Sequence, residues 1–313
     1  MDGIINDIQL SNLVNADFPE AVLEEVQITL NLISPQFNSV PVVSAFLTVV
    51  ELYKGNYPGY KACNTDYHDL RHTMNVFLTM TRLFHGATLD GKTFTDREIT
   101  ISLIAALFHD VGYIQEEWDK QGTGGKHTFT YVRRGADFLK RYGQKHGLSD
   151  EEIDMGRCMI FCTKIASNIP SVRSGCTRAE FLGKMLCTAD LLAQMSDRIY
   201  LEKLLFLYHE IKECNLASTF ENEVDLLRKT INFYEFTAEY IKAILDENDR
   251  FLRLHFASRW DIQRNLYQEA IDRQKNYLKQ ILEIPGSDPR KHLKRHGIVD
   301  KVREKYGKDD HGL

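Results

Sequence analysis

Three short patterns fix the starts of helices in this chain. Thr95-Asp-Arg-Glu98, Ser149-Asp-Glu-Glu152 and Thr177-Arg-Ala-Glu180 each place a hydroxyl at a candidate N-cap and a glutamate three residues later. The hydroxyl can accept an otherwise unmet backbone N–H, and the glutamate can reach back to the N–H of the cap. Each pattern runs into an apolar segment with helical spacing. Alternation of period two is nowhere sustained, so no sheet is expected and the fold class is all-α.

Other helix boundaries follow from proline, glycine and apolar spacing. Asp17-Phe-Pro19-Glu20 offers a cap and a proline in the first turn of a helix that carries Val22, Val26, Leu30 and Ile33. Pro41 opens a second helix through Leu52, which Gly55 closes. A third is expected over residues 66–84 with Thr65 or Asp66 as cap, and Gly112 is expected to end the one opened by Thr95. Later helices are expected over 150–166, 178–198, 200–214, 219–248 and 258–282, with Leu226, Ile231, Phe233, Tyr234 and Phe236 as core. Gln121-Gly-Thr-Gly-Gly-Lys-His127 is a glycine-rich loop without the spacing of a P-loop. No linker interrupts residues 1–285, which read as a single all-helical domain. From Arg290 the chain becomes basic through Lys291, Lys294, Arg295, Lys301, Arg303, Lys305 and Lys308, and residues 286–313 read as a polar, frayed tail.

Composition excludes several classes. The chain has 313 residues and a net charge of −5, so no whole-chain argument exists for a nucleic-acid or anionic-membrane partner. No apolar run approaches the length of a membrane span, and no membrane partner is expected. Met1-Asp-Gly-Ile-Ile-Asn-Asp7 is acidic and lacks the basic start of a signal peptide. The six cysteines, Cys63, Cys158, Cys162, Cys176, Cys187 and Cys214, include no C-x-x-C pair. A zinc ribbon and disulfides are therefore not expected, and a reducing, cytoplasmic setting is. A homo-oligomer stays open.

The chemistry gathers around Tyr67-His68-Asp69-Leu70-Arg71-His72-Thr73 and His109-Asp110. His68 and His72 stand four apart in a stretch that reads as helix, so both rings are expected on one face. His109-Asp110 ends the apolar run Ile101-Ser-Leu-Ile-Ala-Ala-Leu-Phe108, and Asp190 lies in the similar setting Cys187-Thr-Ala-Asp-Leu-Leu192. Polar groups in such surroundings need partners, and a divalent metal is an efficient one. Two histidines and two aspartates make a suitable N/O ligand set.

In that order, His72, His109-Asp110 and Asp190 resemble the H…HD…D pattern of the HD superfamily of metal-dependent phosphohydrolases. Tyr67-His68-Asp69-x-x-His72-Thr73 also resembles the Tyr-His-Asn-x-x-His motif of the cyclic nucleotide phosphodiesterase branch. It departs at Asp69, where that branch usually has asparagine. The resemblance covers about residues 60–200. It implies an HD-domain helical bundle carrying extra N- and C-terminal helices; the absence of a linker between Ala189 and Gly286 places the helices of 200–285 on that bundle. It implies that His72, His109, Asp110 and Asp190 hold a divalent metal, that Asp110 can bridge to a second ion, and that His68 is the general acid. One or two ions are expected, of Mg, Mn, Zn, Fe or Ni. The substrate class implied is a small phosphate ester, with a nucleotide phosphodiester foremost.

A metal suits this reaction because an anionic phosphoryl centre repels its nucleophile. The ion screens the phosphoryl oxygens and lowers the pKa of its water towards ~7. An imidazole at His68 can give a proton to the departing alkoxide, or can serve as support for the ligands. Asp69 is placed to accept from an imidazole, or else lies exposed. His127 and Lys164 are candidates for a second metal or for phosphate, because Cys162 and Thr163 stand where a further histidine would be useful. A nucleotide phosphomonoesterase is the near alternative. The cyclic-dinucleotide subclass is disfavoured, since Gly112-Tyr113 is followed by Ile114 and not proline. Two readings of other classes are a di-iron oxygenase, which would need a fuller second histidine set, and a regulatory module with a structural metal.

Overall fold

The computed structural model describes residues 8–164, 177–214 and 219–307. Expectations that rested on Met1–Asp7, Ile165, Cys176, Lys308 and the chain end lie outside the described residues. Within them are thirteen α-helices and no strand, so the fold is all-α. The helices are α1 (Leu10–Leu13), α2 (Pro19–Ile33), α3 (Val40–Lys54), α4 (Leu70–Leu89), α5 (Asp96–Phe108), α6 (Tyr131–Lys145), α7 (Asp150–Cys162), α8 (Thr177–Ser196), α9 (Tyr200–Glu213), α10 (Glu223–Ala243), α11 (Arg250–Trp260), α12 (Leu266–Leu282) and α13 (Ile298–Tyr306). The one strand-like pairing among the described residues is an isolated bridge between Tyr60 and Glu116. No helix among the described residues is long and apolar enough to cross a membrane.

Helix α4 is the axis of the body. Fifteen of its twenty residues are buried, so it meets neighbours on every side and not along one stripe. It packs against α2, α5, α8 and α11. Met74, Phe77, Met80, Leu83 and Phe84 are fully buried along it, each worth about 1.5–3 kcal/mol by removal from water. Gly86 lets α11 approach, because a Cβ there would fall on the Phe251 carbonyl. One continuous apolar core runs from Ala16 to Val302 and takes in side chains from both halves of the chain.

The capping boxes at Thr95 and Ser149 form as expected. Thr95 Oγ1 accepts the Glu98 N–H at 3.2 Å while Glu98 accepts the Thr95 N–H at 2.8 Å. The same pair of bonds joins Ser149 and Glu152 at 3.3 and 2.8 Å. Among the described residues, helix α8 is present from Thr177 onward.

Several boundaries differ from expectation, each for a physical reason. Helix α4 starts at Leu70 and not at residue 66, because Asp69, rather than Thr65 or Asp66, is its N-cap. Helix α5 ends at Phe108, before Gly112. Helix α6 was not anticipated: its N-cap Thr130 makes no side-chain cap bond, so no capping signal marks it. The two long helices expected over 219–248 and 258–282 are three. Asp246 and Glu247, at φ 56° and 49°, turn the chain after α10, and Asp261, at φ 57°, turns it after α11. Phe236 is 48% exposed and not core, since the buried stripe of α10 runs through Leu226, Thr230, Tyr234, Thr237 and Ile241.

The basic tail is also corrected. Residues 289–306 fold back onto the body instead of fraying. Leu293, Ile298 and Val302 are buried, α13 packs on α9, and Arg290 pairs with Glu223 at 2.7 Å. Charge dominates this stretch in composition, but the apolar residues decide where it lies.

Candidate metal centre

Two local features deliver the polar residues to the core. The Asp69 carboxylate accepts the His72 N–H at 2.9 Å, which starts α4 so that His72 falls in its first turn and is buried. The apolar run of α5 is buried from Ile101 to Phe108 and carries His109 and Asp110 inward with it. The turn Val111–Tyr113 then passes close against α6. Gly112 permits this, because a Cβ would strike the Tyr131 carbonyl. Asp190 comes from the middle of α8, with its side chain 13% exposed.

The four donors converge. His72 Nε2 lies 3.1 Å from Asp190 Oδ1 and 3.3 Å from Asp110 Oδ2. His109 Nε2 lies 3.2 Å from Asp110 Oδ2, 3.8 Å from Asp190 Oδ1 and 3.4 Å from His72 Nε2. His72, His109 and Asp110 can each offer a ligand atom with all three atoms within 4.8 Å of one another. Neighbouring donors held about 2.0–2.2 Å from a shared ion stand about 3.0–3.5 Å apart, which matches most of these separations.

Three further details bear on whether a cation fits. Asp110 Oδ2 is buried within reach of two imidazole nitrogens yet makes no aligned hydrogen bond, so its lone pairs are unmet. His109 Nδ1 donates to the Ala106 carbonyl at 2.8 Å, which leaves Nε2 as the lone-pair nitrogen of the neutral ring. Burial works against the His72 imidazolium, but the neighbouring Asp110 and Asp190 carboxylates outweigh it and raise its pKa to about 10. His109 is likewise raised by Asp110 against its burial, and Asp110 is held well below the ordinary carboxylate range by His109 and His72. Protons on the imidazoles thus occupy the electrostatic role of a cation, and His72, His109, Asp110 and Asp190 could hold a divalent ion in their place.

His68 lies beside this group for a reason other than the expected one. It is not on a helix, since α4 begins two residues later. Its ring centroid stands 6.3 Å from that of His72, with the planes at 84°. Glu210 of α9 fixes it: Oε2 is 2.7 Å from His68 Nδ1, and Oε1 accepts the Tyr67 N–H at 2.7 Å. The ring stacks on Tyr113 at 4.1 Å, and Tyr113 stacks on Tyr131 at 4.5 Å. Thr65 Oγ1 donates to the His68 carbonyl at 2.9 Å and braces the loop from below. With Nδ1 engaged by a carboxylate, Nε2 makes no hydrogen bond to any described residue and is the nitrogen free to act on a ligand.

The remaining candidates are placed differently. Asp69 caps α4 and pairs with Lys203 at 2.8 Å, so its partner is a backbone N–H and a lysine and not an imidazole. His127 closes the turn Gly124–His127 and sets Nε2 3.2 Å from Asp119, whose carboxyl also meets Lys126. Burial pushes the Asp119 carboxyl up, but Lys126 and Gln115 overcome this and hold it at about 2. Glu213, one turn after Glu210, takes the Thr123 N–H and hydroxyl and so clamps the glycine-rich loop to α9. Lys164 lies exposed just past α7, its backbone N–H bonded to the Phe161 carbonyl at 3.4 Å. Glu210, Glu213 and Asp119 were not anticipated. The one short-range hint was an acidic pair at helical spacing in a helix with an apolar face.

Neither a protein-family model nor a curated protein matches this chain.

Proposed function

We propose that this protein is a metal-dependent phosphohydrolase, foremost a phosphodiesterase acting on a nucleotide phosphoester. The observation that carries the reading is the convergence of His72 Nε2, His109 Nε2 and Asp110 Oδ2, with Asp190 alongside, around a buried carboxylate oxygen whose lone pairs are unmet. When bound there, a divalent ion supplies charge to offset that of a phosphoryl group and acidifies a water molecule. The chain's own residues supply the rest. Asp110 and Asp190 bring the negative charge that favours a cation over the imidazolium protons. The bond from His109 to the Ala106 carbonyl keeps that ring in one tautomer.

His68 is the proton donor to the leaving oxygen. Glu210 accepts from Nδ1 and so orients the ring with Nε2 outward, while Tyr113 fixes its plane. The donated proton comes from Nε2, and the ring is recharged from solvent, which its 16% exposed side chain permits. The setting is a protein without a membrane-spanning helix among its described residues, and a cytoplasmic location is part of the proposal.

A screen of the full chain with added Mg, Mn, Zn, Fe or Ni tests this reading. It would compare cyclic nucleotides, linear phosphodiesters and phosphomonoesters. Hydrolysis of phosphodiesters, silenced by a chelator, is the expected result. Turnover confined to phosphomonoesters would move the protein to the nucleotide phosphatases. No hydrolysis with any metal would remove the enzymatic reading.

A further inference from the structure

We propose that the cavity lined by Ser11, Ser196 and the arginines Arg198, Arg273 and Arg295 is a binding site for a phosphate dianion, free or as the monoester of a small molecule. The proposal is independent of the phosphohydrolase reading. The cavity has a volume of about 340 Å³ and lies where α1, the turn from α8 into α9, α12 and the turn before α13 meet. That volume is at the lower end for small-molecule pockets. Among the described residues no carboxylate lines it. The charge of the arginines is not cancelled by their neighbours. Arg198 pairs with no described carboxylate. Glu269 stands 3.5 Å from Arg273, but both of its oxygens accept from Arg264 at 3.0 Å. Glu202 stands 4.0 Å from Arg295 but is 1% exposed, and burial raises the pKa of its carboxyl. Asp197 gives both oxygens to Arg71, at 2.9 and 3.0 Å. The one negative charge left on Asp17, Arg71 and Asp197 together is matched by Arg82, which lines the adjoining cavity with Arg71 and Asp197. With Glu269 counted against Arg264 and Glu202 against Arg295, Arg198 and Arg273 still leave two positive charges. A phosphomonoester carries about −1.5 to −2 near pH 7, which complements them.

Part of the site is held in shape before any ligand arrives. Arg295 Nη1 donates to the Arg198 carbonyl at 2.7 Å and to Gln274 Oε1 at 3.3 Å, and the guanidinium stands 5.8 Å from the centroid of the Tyr277 ring. Gln274, 6% exposed, is fixed in turn by its Nε2, which donates to the Asp197 carbonyl at 2.6 Å. Nε and Nη2 of Arg295 make no hydrogen bond to a described residue, and neither do the hydroxyls of Ser11 and Ser196. Guanidiniums from three elements, with hydroxyls beside them, suit a tetrahedral group with several terminal oxygens. A planar carboxylate is satisfied by a single arginine fork and would leave the others idle.

The test uses the full chain, with and without a chelator, so that phosphate held by a metal is told apart. Inorganic phosphate and glycerol 3-phosphate would be titrated calorimetrically, with succinate as the carboxylate dianion. Saturable binding of a phosphate probe is expected, unchanged by the chelator and weakened about 10–100-fold by Arg198→Gln and by Arg273→Gln. Both arginines are exposed, so neither variant threatens the fold. The ratio of the two phosphate affinities tells whether the free ion or its ester is the ligand. Crystals grown with the tighter probe should place its phosphate among Arg198, Arg273 and Arg295. No saturable binding, binding lost in chelator, an affinity unmoved by both substitutions, equal affinity for succinate, or a carboxylate of the chain itself seated between the arginines would each overturn the proposal.

Discussion

His68 and Glu210 stand 142 positions apart in the chain and 2.7 Å apart in the fold. The contact joins the loop before α4 to α9, and so ties the candidate centre to the C-terminal helices. A carboxylate so placed keeps the imidazole in one tautomer and one orientation.

His68→Ala should therefore leave metal content unchanged and lower kcat by roughly 10²–10⁴-fold on an ordinary phosphodiester. The loss should be smaller with a nitrophenyl ester, whose leaving group departs without a proton. Glu210→Gln keeps a hydrogen bond but not the charge. It should cost about 10–100-fold in kcat, because the ring loses the anionic partner that holds its orientation. Loss of metal from the His68 variant would instead make His68 a ligand.

The raised pKa of His72 has a definite sign. In the metal-free protein its folded value of about 10 exceeds the unfolded value of ~6.5. Its proton therefore stabilises the fold fully below ~6.5, and that contribution is lost as pH rises through about 10. A metal must expel this proton. Apparent metal affinity should rise with pH throughout that window, by about tenfold per unit for each proton displaced. Calorimetric titration in buffers of different ionisation enthalpy would count the protons, and an affinity flat in pH would contradict ligation by these imidazoles.

The C-terminal segment carries a stability prediction. Ile298 is 4% exposed against α9 and its neighbours. Ile298→Ala should cost about 2–5 kcal/mol and lower the melting temperature by several degrees. Lys305 pairs with Asp66, two residues before His68, and Tyr306 stacks at 3.8 Å on His209, next to Glu210. Deleting residues 286–313 should accordingly speed hydrogen exchange in the loop before α4 and in α9. Exchange unchanged in both would mean that the segment is a passenger.

The parts of this arrangement legible in the sequence are those written within a turn or two of chain. Thr95 and Ser149 announce their helices because the cap and its glutamate are three residues apart. His72, His109-Asp110 and Asp190 stand out because polar residues are rare in such apolar surroundings. What escaped depends on distant partners or on backbone. Nothing near Glu210 in sequence points to His68. Asp69 looks like one more acid of the motif until its bond to the His72 N–H marks it as the cap. Asp246, Glu247 and Asp261 turn the chain at positive φ without the glycine that would advertise it. The charges of the tail dominate its composition, whereas Leu293, Ile298 and Val302 hold it in place.

Asp110→Ala removes the carboxylate that stands within 3.3 Å of both imidazoles, and its effect on metal content and hydrolysis together tests the central claim most directly. The wild type should carry about one or two equivalents of divalent metal, lose phosphodiesterase activity on chelation, and recover it on metal addition. Asp110→Ala should fold, hold no metal, and show no activity that metal restores. A variant that retains metal and turnover, or a wild type that hydrolyses phosphoesters unchanged in excess chelator, would contradict the account.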